Sequence, residues 1–283
     1  MTNYLLAYLA VVDSIYCCEI ILRTVTTTAQ LPERFIGREI FCRTVYSGFI
    51  YWITLFSSSY ALCLVTYERY IGIVHPLHYP RMMSPKKVIL ITFIALGMSV
   101  LFSSPLLFTR NADWLDCKPS DTYDTMVNVS CVLFFLFAYL LPILFMSWIY
   151  YKIQATLKRS AQQLQQQNVQ GAALELLQAR QNVIIMLKIV LGALIVLWTP
   201  KSFELVICLP DAMREWCNNS YPFALRLALV FMYKMNSVIN PIIYIFKHKK
   251  FRKGFQDMLC CCNGRPPRPN QIGEQIAMNE QNM

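Results

Sequence analysis

The sequence predicts an all-α fold, a bundle of helices that spans a membrane, and three observations carry that prediction. Of 283 residues, 56% are hydrophobic and only 15% charged, against about a quarter charged in an ordinary soluble domain. The apolar residues are gathered into long runs, and residues 44–67, 88–108 and 125–151 contain no charged side chain. Each run reaches the roughly 20 residues a helix needs to cross a bilayer. In lipid the backbone must satisfy its own hydrogen bonds, which makes such runs helices. Residues 3–22, 183–209 and 221–246 carry two or three charges each and bring the crossings to six.

The first run, 3–22, has no basic head and contains Asp13 and Glu19, which does not fit a cleavable signal peptide. The orientation of the remaining spans follows from charge. The net charge is +10, with fifteen lysines and arginines in the stretches between 67 and 88, between 151 and 183, and after 246. The opposite side carries eight, Lys201 included. The positive-inside rule makes the first group cytoplasmic. These bases flank membrane spans, so a nucleic-acid partner is not expected. Cys42, Cys117, Cys131, Cys208 and Cys217 all fall on or near the outer side, where disulfides persist. Two glycosylation sequons, at Asn128 and Asn218, lie on the same side. On the inner side Cys260, Cys261 and Cys262 follow a basic amphipathic stretch, a setting for palmitoylation. There Phe251, Phe255, Met258 and Leu259 recur at helical spacing, which predicts a short interfacial helix. The glutamine-rich residues 160–179 fit either extensions of the flanking helices or a disordered loop.

Several motifs fall on these spans in a fixed order. Leu9-Ala10-Val11-Val12-Asp13 lies in the first, Glu68-Arg69-Tyr70 at the inner end of the second, and Pro142 and Tyr150 in the fourth. Trp198-Thr199-Pro200 lies in the fifth, and Asn240-Pro241-Ile242-Ile243-Tyr244 near the end of the sixth, with Phe251 seven residues on. The ordered set resembles the rhodopsin-like G-protein-coupled receptors over residues 3–262. That resemblance implies a receptor domain at 1–262 and a disordered cytoplasmic tail at 263–283, in a multi-pass protein of the plasma membrane. It also makes the spans helices two to seven of the usual seven, so the first helix is expected to be missing. An incomplete gene model and a genuine six-helix product, which would be a non-signalling fragment, are the two readings of that.

The resemblance assigns roles residue by residue. Cys42 pairs with Cys117, although Cys42 stands two residues further from Arg69 than is usual; Cys208 and Cys217 are placed to close the outer loop between the last two spans, with connectivity left open by the sequence. Asp13, Ser58, Asn236, Ser237 and Asn240 form a polar cluster that holds sodium in relatives; a protonated, ion-free Asp13 is the alternative. Glu68, Arg69, Tyr70, Tyr150, Trp198, Pro200, Asn240, Pro241 and Tyr244 form the switch, with both prolines as joints. Pro76 and Leu77 dock onto a heterotrimeric G protein or simply pack within their loop, and arrestin is the second cytoplasmic partner. Where many relatives place an acid on helix six this chain has Arg180, which predicts raised basal activity. The usual tryptophan of helix four is replaced near Leu96, and Leu194 and Leu197 stand where phenylalanine and cysteine are common.

Tyr51, Lys201, Glu204 and Lys234 are the expected ligand-pocket residues. Tyr51 occupies the place of the aspartate that binds amines, which argues against a classical monoamine. Lys234 occupies the place where opsins hold retinal as a Schiff base. That reaction needs a carboxylate for the iminium, and Glu19 and Glu204 are the nearby candidates. The preferred ligand is a peptide or small acidic molecule, with retinal at Lys234 as the alternative. No cofactor is otherwise expected. No filter, charge ring or paired repeat suggests a channel or transporter. All three histidines (His75, His78 and His248) lie at the inner edge, so no catalytic set falls inside the spans and an enzyme is not expected.

Overall fold

A computed structural model describes residues 2–26, 35–113, 116–166, 171–210, 213, 215–217 and 222–247. By internal contacts the chain divides into Met1–Ile239 and Asn240–Met283. The first unit is a helical bundle. The described part of the second is the last turns of one helix.

In chain order the helices are α1 (Thr2–Thr26), α2 (Phe35–Phe41), α3 (Phe49–Val74), α4 (Tyr79–Met82), α5 (Pro85–Ser103), α6 (Tyr123–Leu133), α7 (Leu141–Gln166), α8 (Ala172–Ile207) and α9 (Phe223–Lys247). Two π-helical turns interrupt them. Cys42–Tyr46 follows α2, and Phe134–Leu140 joins α6 to α7. Between α5 and α6 the chain also makes a two-stranded antiparallel hairpin, β1 (Arg110–Ala112) with β2 (Cys117–Pro119). The all-α expectation therefore holds for the bundle, while the outer loop between α5 and α6 folds as strands.

Among the described residues five stretches are long and apolar enough to cross a membrane: Tyr4–Val25, Ile36–Val74, Pro85–Phe108, Tyr123–Gln166 and Leu187–Ile207. The sixth expected crossing falls on α9, a helix of 25 residues that is not one of the five. Its apolar character is diluted by Arg226, Lys234, Asn236, Ser237 and Asn240.

α3 is the centre of the bundle, packed against α1, α5 and α7, and α7 in turn packs against α8. Its buried positions include Leu55, Phe56, Ala61, Leu62 and Val65, with Ser57, Ser58 and Ser59 between them. α5 reverses the pattern of a soluble helix. Ser99 and Ser103 face inward while Leu90, Phe93 and Leu101 are exposed. Small residues let helices approach closely, and in lipid burial of apolar area gives no preference for the interior. α5 starts with Ser84 in an extended conformation and Pro85 in the first turn, where the missing proline N–H costs no helical bond.

Candidate functional site

The outer end is tied covalently. Cys42 and Cys117 are bridged, as are Cys208 and Cys217, with Cα atoms 5.5 and 6.1 Å apart. Cys131 is buried and belongs to neither bridge. The surplus residues between Cys42 and Arg69 are accommodated just below the bridge. The π turn at Cys42–Tyr46 winds extra chain, and Gly48 then breaks the helix with φ of 85°. A side chain at Gly48 would be strained at that angle, and its Cβ would stand 3.2 Å from Arg23 Nη1. Polar contacts fasten the hairpin to the same place. Glu39 is ion-paired with Arg43 and accepts the Ala112 N–H at 2.7 Å. Arg43 also donates to Asn111 Oδ1 at 3.0 Å, and Arg38 to the Asp113 carbonyl at 3.0 Å.

Beneath this frame lie the expected pocket residues. Tyr51 packs on Tyr16, with ring centroids 5.3 Å apart, and Arg23 lies 5.8 Å above the Tyr51 ring. Arg23 donates to the Tyr46 carbonyl at 2.9 Å and pairs with the buried Glu19 at 3.8 Å. Lys201 and Glu204, one turn apart on α8, form an ion pair with each other. Lys234 is half-buried on α9. It acts on Glu19 electrostatically, second to Arg23, and makes no ion pair within 4.0 Å among the described residues. Arg23 and Lys234 thus both act on Glu19, while Lys201 is matched by Glu204 on its own helix.

The floor is aromatic. Trp198 is fully buried, with ring centroids 5.6 Å from Phe134 and 5.2 Å from Tyr233. Phe134 also meets Trp52 and Phe56 at 5.1 and 5.8 Å. The π turn brings Phe134 inward, and its Ala138 carbonyl accepts from Ser59 at 2.7 Å. Tyr139 of the same turn meets the Thr199 hydroxyl at 2.6 Å, beside Pro200, the proline inside α8. Lower in the bundle Asp13 is buried and accepts from Ser58 at 3.0 Å. Asn236 and Ser237 are also buried. Asn240 and Pro241 lie in α9, as does Tyr244.

At the inner end Glu68 is buried and pairs with Arg69 at 3.4 Å. Tyr79 of α4 donates to Glu68 Oε1 at 2.6 Å. Burial, and then that donation to a carboxylate, push the Tyr79 phenol up to about 12, so it stays a donor throughout the physiological range. One turn up, the hydroxyls of Thr66 and Tyr150 meet at 2.9 Å. Tyr70 stacks near His75 and Trp148. Pro76 opens a 3-10 turn, and Leu77 is 91% exposed, so loop packing does not account for it. Asn128 sits half-buried in α6, with Ser130 of its sequon fully buried. Asn218, the cysteines 260–262 and the expected interfacial helix lie outside the described residues.

Sequence reading missed Tyr16, Arg23, Tyr79, Phe134 and Tyr233. Arg23 had a faint signal, a charge at the end of an apolar run. Phe134 had none, being one aromatic within an uninterrupted apolar run.

Comparison with known proteins adds a separate line. The profile of the 7 transmembrane receptor (rhodopsin family) matches residues 1–244. Human galanin receptor type 2 is 27% identical over 94% of this chain and 66% of its own length. Mouse G-protein coupled receptor 39 is 28% identical over 72% of the chain and 53% of its length. Human 5-hydroxytryptamine receptor 4 is 24% identical over 97% and 75%. The chain therefore spans just under two thirds of human galanin receptor type 2.

Proposed function

This chain belongs to the 7 transmembrane receptor (rhodopsin) family, and on that premise we propose that it passes an extracellular signal to a heterotrimeric G protein. The ligand is a peptide or a small molecule that presents an acidic group. The observation that carries this choice is the charge balance of the pocket. Arg23 and Lys201 each have a carboxylate partner, and among the described residues Lys234 has none within 4.0 Å. A half-buried ammonium is costly unless an anion meets it, and a ligand carboxylate provides one. Tyr51 offers a phenol where an amine ligand would need a carboxylate, so the likeness to a 5-hydroxytryptamine receptor does not extend to the amine. Retinal at Lys234 is the weaker reading. Glu204 is paired with Lys201, and Glu19, on which Lys234 also acts, is shared with Arg23, which leaves an iminium only a shared carboxylate.

Signal passage runs down the aromatic floor. A ligand that displaces Tyr233 moves Trp198 through direct ring contact, and Pro200 gives α8 a joint at that level. Below it, Asp13 with Ser58, Asn236 and Ser237 offers one carboxylate and neutral oxygens, a donor set suited to a hard monovalent cation such as sodium. At the inner end Arg69 leaves Glu68 to meet the G protein, with Leu77 as an apolar knob beside it and arrestin as the competing partner.

The test is guanine-nucleotide exchange. Membranes holding the full chain should accelerate exchange on an added G protein, and Arg69→Ala should reduce the rate to background. Equal rates for the two chains would rule out signalling through this end.

A further inference from the structure

α7 and α8 leave a groove of about 400 Å³ between them. It is graded from end to end. Tyr151, Gln154 and Lys188 line its inner part, and Leu191, Gly192 and Ile195 line the part toward the bilayer centre. Lys188 is the second residue of the apolar stretch Leu187–Ile207, at the inner end of that span. At 1.5 Å per residue Ile195 lies about 10 Å deeper. Tyr151 is 71% exposed and Ile195 37% exposed, so the groove opens on the lipid side of both helices.

Two features identify an occupant. The first is charge. Lys188 donates to the neutral Gln154 Oε1 at 2.7 Å, and no carboxylate lies within 4.0 Å of it among the described residues. Lys152, Lys158 and Arg159 are exposed on the inner turns of the same α7. Long cationic side chains at this depth extend toward phosphate groups. The second is shape. A Cβ built at Gly192 meets no heavy atom within 4 Å, so the groove floor is open where a chain would lie, and no neighbouring side chain fills it.

We infer that this groove binds one anionic phospholipid of the inner leaflet, its phosphate on Lys188 and one acyl chain along Gly192 to Ile195. A zwitterionic lipid offers the same chain and phosphate but cancels the charge with its own amine, so the site selects by net charge.

Native mass spectrometry of the full chain in detergent tests this, with phosphatidylserine and phosphatidylcholine of identical acyl chains as probes. Phosphatidylserine should be retained roughly fivefold better, the size expected for one lysine at an anionic surface. Lys188→Gln should abolish the preference. Gly192→Leu should displace the retained lipid with Lys188 intact, and the open space at that position leaves room for the leucine in the fold. Equal retention of the two lipids by the unaltered chain, or a preference that survives either substitution, overturns the site. No G protein enters the measurement, so it stands or falls apart from the signalling reading.

Discussion

At the outer end of the bundle two disulfides, two arginine–glutamate pairs and a strand hairpin hold the chain in one arrangement. At the inner end the described contacts are individual and exchangeable. They are Glu68 with Arg69 at 3.4 Å, Tyr79 on Glu68, Thr66 with Tyr150, and Lys188 on Gln154. Covalent links constrain the unfolded ensemble as well as the native one, whereas a polar contact can be replaced by another of equal worth. The contrast places movement at the inner end and shape retention at the outer end.

The strongest way to break that contrast is to loosen the frame. Cys42→Ser opens a link across 75 residues of sequence, worth about 4 kcal/mol by loop entropy. The bridge Cys208–Cys217 spans nine and is worth about 2.5 kcal/mol by the same rule. Thermal unfolding in detergent should fall for both, further for Cys42→Ser. The reverse order would mean that the hairpin is held by its polar contacts instead. A smaller effect is expected from Tyr79→Phe. It removes one hydrogen bond to a carboxylate, a class worth about 1.5–3 kcal/mol, and frees Glu68 to release Arg69. Ligand-free nucleotide exchange should rise severalfold and the unfolding temperature should fall by a few degrees; unchanged exchange would show that Tyr79 only packs α4. The smallest is Arg180→Glu. It adds an acid on the inner turns of α8, and an exposed pair is worth at most about 1 kcal/mol. Ligand-free exchange should fall by about twofold, and an unaltered rate would remove the idea that Arg180 leaves the resting state under-restrained.

What the sequence reveals and conceals follows the same physics. The spans were legible because run length and charge decide them. Cys42 with Cys117 was legible from the ordered motifs, and the structure accounts for its odd spacing. The inward face of each helix was not legible. In α5 serines are buried and phenylalanine is exposed, so hydrophobicity does not mark the core as it would in water. The convergence of Phe134, Trp198 and Tyr233 joins positions about a hundred residues apart, and no local period records it. Tyr79 was hidden for a simpler reason: a short loop helix gives a phenol no pattern to belong to.

The π-helical turn at Phe134–Leu140 has a consequence for how this chain can change over generations. Such a turn is an α-helix carrying one residue too many. A one-codon deletion within it would leave a helix of ordinary winding with the downstream faces nearly unchanged, whereas one in the regular helix at 141–149 would turn every residue beyond it by about 100°. Tyr150 would then point away from Thr66, and Gln154 away from Lys188. In the regular helix length itself is heritable information, and substitutions that preserve it are the milder lesions.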